Sequence, residues 1–429
     1  MVSVESANKR TQKMFILEAM FEYFISIIVT GAYIAKIGQN IGMSDGLIGI
    51  VTSIGSLTCT FQLVAVLLSY KRPLKKWVLI LHLLNQTIYA FIFFVPVFPL
   101  PKTYKILALI AFSLSGHILA SVISPAKITF FMNSVEKDKR GLFTANKEIV
   151  SLLSGMAFSF VINYMIDRFE DQGQIGTAFI ICGIAVFALT ICHALTVIFS
   201  KETEIPVPEE KLGESLKSLF KDKTLWKITG ISIIWHFAQN MTLPFMYNYT
   251  IKTIDNGGLG YSMTMVTVSV VMYAITRSLI SRKMGKLGDK ITFVRLLKIC
   301  YIIEIIAFIF YAFTRPESRY LYYVGYAILG VSAAGTNSSN INLVYENIAP
   351  SKVTAAYAVR LAVGGLVGFL TTTITGLFIN YVNASGNVFL GMQLYATQIT
   401  SIFSIIGLIG LLLFVHFAFP VKKKEKISE

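Results

Sequence analysis

Glu18 and Glu22 stand four residues apart inside an apolar stretch, with Ser26 four further on, so the three share one face of a helix. An ionisable side chain at the centre of a membrane helix costs about 2.5–3.5 kcal/mol on insertion scales, so it faces protein or water rather than lipid. A carboxylate held there can alternate between ionised and protonated forms, which is the chemistry of proton coupling, and Glu22 is the candidate. A second stripe, Ser113, His117, Ser121, Ser124 and Lys127, recurs at spacings of four, four, three and three. Lys127 falls at a depth similar to that of Glu22, and the two can pair, either as a structural ion pair or as part of a solute site. A third group is Trp235, His236, Gln239 and Asn240, after which Pro244 interrupts the helix. A fourth is the run from Thr336 to Asn342, with Asn337 and Asn340, too polar all round to face lipid. Amides beside aromatic rings suit polyhydroxylated ligands, because the amides donate and accept while ring faces cover C–H surface.

The candidate solute-binding residues are therefore His117, Lys127, Trp235, His236, Gln239, Asn240, Asn337 and Asn340. For each, the competing reading is a helix-to-helix hydrogen bond worth ~0.6–2 kcal/mol. His117 and His236 are either proton sites or neutral hydrogen-bonding groups. Glu304, alone in another apolar stretch, has no evident partner.

Twelve apolar stretches must position these groups, beginning near Phe15, Ser44, Lys76, Thr103, Phe143, Ile175, Leu225, Tyr261, Phe293, Arg319, Lys352 and Gly391. Each is about as long as the ~20 residues a helix needs to cross the hydrocarbon core. A soluble chain would not be 55% hydrophobic and 14% charged, because its surface could not be wetted. The net charge of +15 would suit nucleic acid, but its distribution argues for topology instead. With the N-terminus in the cytoplasm, 29 of the 38 lysines and arginines fall on cytoplasmic tails, loops and helix ends and 7 on external ones, the positive-inside pattern. Both termini are then cytoplasmic in a multi-pass protein of the cell membrane, and nucleic acid drops out as a partner. Cys59, Cys182, Cys192 and Cys300 lie inside apolar stretches, without disulfide or metal spacing. The polar N-terminus leads into a stretch longer than a signal peptide's apolar region, with no small-residue cleavage site, and is expected to stay. No glycine-rich phosphate loop is present, so energy must come from a gradient, of protons or of sodium. No cofactor is implied, and the chain is read as a monomer and not as an enzyme.

The longest polar connection, residues 200–224, has two prolines and mixed charges and falls at the midpoint. Sliding the chain by 213 residues brings the stretches into register, with Lys139 on Lys352, Ala145 on Ala358, Lys147 on Arg360, Gly155 on Gly368, Phe24 on Phe237 and Asp167 on Asn380. Two parallel repeats related by an axis along the membrane normal define one large transporter architecture. The expected fold is an all-α integral membrane protein, with twelve transmembrane helices in two pseudo-symmetric six-helix bundles. The bundles are residues 1–199 and 225–429, joined by the cytoplasmic linker 200–224.

Gly285-Lys-Leu-Gly-Asp289-Lys290, after the eighth stretch, resembles the G-x-x-x-D-[RK] loop that transporters of the major facilitator superfamily carry between the second and third helices of each half. Lys139-Arg140-Gly141 is similar to that family's basic turn into the fifth helix, and residues 349–352 occupy the equivalent place before the eleventh. The first-half loop, Leu68 to Lys76, keeps the cations but lacks the glycine and the aspartate, so any cytoplasmic latch is sought at Asp289. The resemblance implies that helices one, four, seven and ten line a central path. It also implies that helix five lies near eight and helix two near eleven. There Glu148 and Arg277 become a candidate gate pair, and Arg360 joins Lys147 and Glu346 as a candidate cluster.

Together these readings give a secondary transporter that moves a small polar organic solute by alternating access, best matched to proton-coupled uptake of a neutral sugar or glycoside. The rivals are export of drugs or amphipathic metabolites by proton antiport, which 32 phenylalanines and 14 methionines would suit if they lined the path, and a non-transporting receptor or lipid-handling protein. The phenylalanines and methionines are expected to face lipid instead.

Overall fold

The computed structural model describes residues 4–63, 74–132, 134–136, 140–202, 220–349 and 352–419. In lipid every backbone N–H and C=O must be satisfied within its own segment, so apolar runs of this length become helices. The first span is α1 (Val4–Ile28) and α2 (Gly31–Asn40), and the second contains α3 (Asp45–Thr52) and α4 (Ile54–Thr58). Then follow α5 (Leu74–Phe94), α6 (Lys102–Met132), α7 (Arg140–Asp171) and α8 (Ile175–Phe199). The second half repeats the plan with α9 (Lys223–Asn240) and α10 (Leu243–Ile251) in one span, then α11 (Met263–Ile291), α12 (Phe293–Ala312), α13 (Leu321–Asn347), α14 (Val353–Ala384) and α15 (Ala396–Ala418). A two-residue hairpin, β1 (Val388–Phe389) with β2 (Met392–Gln393), precedes α15. The chain is thus an all-α membrane protein of two six-span bundles.

Eight segments among the described residues are apolar and long enough to cross a bilayer by themselves. The others include α9 with α10, broken between Asn240 and Leu243 as Pro244 enters the first turn of α10. They include also α12, with Arg295, Lys298 and Glu304, and α13, with its Asn and Ser run. The seventh, ninth and tenth spans, interrupted or rich in polar and charged residues, all contribute to the polar cavity described below. One expectation is corrected: Gly285–Lys290 is not a loop, because α11 stays helical to Ile291 and the turn into α12 is the single residue Thr292, at φ +86°. Helical hydrogen bonds satisfy that backbone more cheaply than an open loop would.

Within the first half α1 packs on α7 and α8, and α5 on α6 and α8; within the second α13 packs on α11 and α12, and α9 on α14 and α15. The outward faces carry large exposed apolar side chains, among them Val161, Leu279, Ile374, Leu377 and Phe417, as a lipid-facing surface requires.

The halves meet through α7 with α11 and through α14 with α3 and α4, and their contact is tight at the end distal to both termini. Asp45 is the hub: its carboxylate accepts from Lys252 Nζ at 2.7 Å, Asn248 Nδ2 at 2.9 Å and Asn383 Nδ2 at 2.7 Å. The repeat shows here as chemistry. Asp167 on α7 accepts from the Met263 and Thr264 backbone N–H groups that open α11, each at 2.8 Å, while its repeat mate Asn380 on α14 accepts from the Gly46 N–H at the start of α3, at 2.9 Å. Each half thus caps a helix N-terminus of the other, where unsatisfied N–H groups attract an oxygen acceptor. Gly46 allows this approach, since a Cβ there would lie 2.1 Å from the Gly376 carbonyl oxygen.

Asp45→Ala removes three bonds across the halves at once. Hydrogen bonds to charged groups contribute about 1.5–3 kcal/mol each, discounted here because the aspartate is partly exposed, so the distal end is expected to open on the order of tenfold more often. Spin labels at Asp171→Cys and Asp255→Cys report it by electron–electron resonance: the distance distribution should gain a longer component, and an unchanged distribution would refute the role.

Candidate functional site

A cavity of about 190 Å³ lies inside the second half, between α9, α10, α11, α12 and α13. Close packing of α13 forms its wall: a Cβ at Gly330 would lie 2.5 Å from the Tyr273 carbonyl, so only glycine lets α11 and α13 touch there. From α13, Tyr322, Tyr326, Leu329, Ala333, Thr336 and Asn337 line it, a stripe at helical spacing. Tyr273 comes from α11, Tyr311 and Glu304 from α12, and Trp235, Gln239 and Tyr247 from the broken seventh span. The rings of Tyr322 and Tyr326 stack at 5.5 Å between centroids, Tyr273 lies 5.4 Å from Tyr326 and Tyr311 lies 5.9 Å from Tyr322, so one side of the cavity is a tyrosine wall.

Glu304 closes the other side. Gln239 Nε2 donates to its Oε1, Trp235 Nε1 donates to Oε2 at 3.4 Å, and Ser332 Oγ stands 3.4 Å from Oε2. The residue is 1% exposed, and no lysine, arginine or histidine pairs with it among the described residues. Neutral donors therefore satisfy it. Two buried hydroxyls on the cavity, Tyr311 Oη and Thr336 Oγ1, have no hydrogen-bond partner among the described residues, which leaves polar capacity for a solute.

Of the eight residues expected to bind solute, Trp235, Gln239 and Asn337 line this cavity. His236 packs edge-on to Trp235 and toward α14, where a Cβ on Gly364 would touch its ring. Asn240 bonds the His236 carbonyl at 2.9 Å and packs on Gly368, so it joins helices. Asn340 is half-buried on α13 and outside the lining. His117 is held in the first half by Tyr89, whose hydroxyl lies 3.0 Å from Nδ1. Lys127 does pair with Glu22, as its depth suggested, and also with Glu18 at 3.1 Å. The side chain of Glu22 is 39% exposed and that of Glu18 is fully buried, so Lys127 links an accessible carboxylate to an inaccessible one.

Glu304, without a partner in the sequence reading, is the centre of the site. The tyrosine wall was also missed, although Tyr322, Tyr326 and Leu329 share the face that runs on to Thr336. Among the described residues the lining holds one methionine, Met246, and no phenylalanine. Spans seven to ten form this cavity, and among the described residues spans one and four contribute none of its lining.

Among the expected gating residues, Glu148 and Arg277 do meet, at 3.4 Å between α7 and α11. Both are partly exposed, 53% and 29%, and such pairs contribute about 0–1 kcal/mol. Arg277→Ala is accordingly expected to lower thermal stability only slightly; a loss of many degrees would show a larger role. Arg360 is buried with its guanidinium over the Tyr357 ring and makes no ion pair among the described residues, so the cluster with Lys147 and Glu346 does not form around it. Lys147 instead covers the Phe15 ring at 4.6 Å. The side chain of Asp289 lies outside the described residues.

Two pseudo-symmetric six-span bundles, with a polar cavity inside the second, are the architecture of a membrane transporter. The sequence profile of the major facilitator superfamily matches residues 15–372, and the chain belongs to that family. No curated protein matches the sequence. Among solved structures, the nucleoside transporter NupG superposes with a TM-score of 0.69 at 14% identity, covering 97% of this chain and 100% of that one. A bacterial homolog of the human lysosomal transporter Spinster, inward-facing and unoccupied, gives 0.70 at 12%, covering 97% of each. A D-xylose-proton symporter gives 0.69 at 12%, covering 94% and 96%. At these identities the likeness is one of fold.

Proposed function

We propose that this transporter carries a small neutral polyhydroxylated solute, a sugar or glycoside, into the cell with protons. The carrying observation is the cavity itself, whose lining combines the rings of Tyr273, Tyr311, Tyr322, Tyr326 and Trp235 with the polar groups of Gln239, Glu304, Thr336 and Asn337. Sugars present C–H faces and hydroxyl edges in that arrangement. Size supports it too, since about 190 Å³ lies below the ~300–1,000 Å³ of drug-sized sites. The nucleoside transporter and the D-xylose-proton symporter of similar fold handle solutes of this kind.

In this reading both termini are cytoplasmic, so the distal closure around Asp45 shuts the outer side. Residues 1–199 and 225–429 rock about the linker 200–224, and the proton enters at Glu22 beside Lys127. Glu148 with Arg277, Asp289 and Arg360 adjust the inner side as the halves move. A second reading has a specific observation in its favour: a carboxylate facing a tyrosine wall also suits an organic cation, which ring faces attract.

Thermal stability of the detergent-purified protein against sugars, glycosides, nucleosides and organic cations separates the two, because a bound ligand stabilises by mass action. A shift with one sugar family, lost in Gln239→Ala, supports the proposal. Shifts with cations alone would replace it.

A further inference from the structure

Beneath Glu22, the first half buries a second ionisable cluster with no link to the solute cavity. Glu18 on α1 is fully buried, and its Oε1 lies 3.0 Å from His193 Nε2 on α8 and 3.1 Å from Lys127 Nζ on α6. His82 on α5 faces His193 with ring centroids 4.6 Å apart. The two imidazoles are 3% and 1% exposed, and a ligand atom from each and from Glu18 lie within 4.8 Å of one another.

Three atoms in this group have no hydrogen-bond partner among the described residues: Glu18 Oε2 and both ring nitrogens of His82. An acceptor oxygen and an imidazole, both buried and both unsatisfied, are a deficit that each costs about 1–3 kcal/mol. A neutral imidazole already carries one N–H donor, and one further proton on the His82 ring would make both of its nitrogens donors in a cluster where Glu18 offers only acceptors. Charge points the same way at contact range, where Glu18 and Glu22 share the single ammonium of Lys127. Lys147 of α7 adds positive charge from further out, over the Phe15 ring, without touching either carboxylate. Glu148, the next acidic group on α7, is turned to Arg277. A divalent cation at the same three side chains would be opposed by the charge of the Lys127 ammonium, which lies 3.1 Å from Glu18 Oε1.

We infer that Glu18, His193 and His82 form a proton store, in which one shared proton is held in the buried cluster and exchanged with the partly exposed Glu22 through Lys127. This deepens the proton-coupled reading by moving the site of storage from Glu22 to the cluster beneath it. The step is a proton transfer only: the proton comes from water at Glu22 and returns there, and no electron pair leaves the cluster.

Proton uptake can be counted with a pH-indicator dye as unbuffered, detergent-purified protein is taken from about pH 8 to about pH 5, a range in which imidazoles titrate and ordinary carboxylates stay ionised for most of the way. Glu18→Gln and His193→Gln are each expected to take up about one proton fewer than wild type, and the double variant no fewer than either single one, because the proton is shared. Equal uptake by wild type and Glu18→Gln, or additive losses in the double variant, would overturn the store. So would binding of added zinc that Glu18→Gln abolishes. The readout needs no solute, so its failure is separate from failure of the sugar reading, which the ligand screen decides.

Discussion

Lys127→Met is expected to destabilise the protein by about 3–5 kcal/mol, the effect of breaking a buried ion pair and leaving its partner charge without compensation. Lys127 is 8% exposed in its side chain and holds two carboxylates of α1, one of them wholly buried. The loss should be partly restored by Glu18→Gln in the same chain, since an amide in that place carries no charge to strand. Denaturant unfolding of the purified variants measures both effects. A change under about 1 kcal/mol for Lys127→Met would mean that water reaches the cluster and that its burial has no energetic consequence. The double variant separates charge from packing: if Lys127→Met fails through lost methylene contacts, removing Glu18's charge restores nothing.

The second large effect is at Glu304. In Glu304→Ala the indole N–H of Trp235 and the amide of Gln239 lose their acceptor, and the solute loses a carboxylate edge. One hydrogen bond to a charged group, at about 1.5–3 kcal/mol, converts to a roughly ten- to two-hundredfold weaker Kd. Equilibrium binding of the solute found in the ligand screen measures it. Glu304→Gln keeps an acceptor oxygen and should lose less. If both variants bind as wild type does, the solute does not reach this carboxylate.

Much of the architecture was legible because lipid leaves the backbone few choices. Eleven of the twelve expected starts fall within five residues of an observed helix start; the first helix begins earlier, at Val4, since its polar head is helical as well. The repeat was legible through single residues: Asp167 and Asn380, matched by the 213-residue offset, make equivalent caps across the halves. The Glu22–Lys127 pair followed from depth alone. What failed were inferences about which way a polar side chain turns. His236 and Asn240 share a helix with Gln239, but α14 claims them because Gly364 and Gly368 let it come close. Glu304 looked isolated because its partners are uncharged and come from α9 and α13, 65 and 28 residues away. Asp45 and His82 drew no notice, since one sits at a helix start and the other amid apolar neighbours. Their importance arises only when distant helices converge on them.

The most direct test of the central claim is solute-driven current in proteoliposomes adsorbed to a solid-supported membrane. Pulses of single sugars and glycosides under an inward proton gradient are expected to give a saturable current for one family of compounds, abolished in Glu304→Ala and in Glu22→Gln and retained in Arg277→Ala. The absence of current with every neutral solute, together with current from organic cations moving outward, would contradict the account.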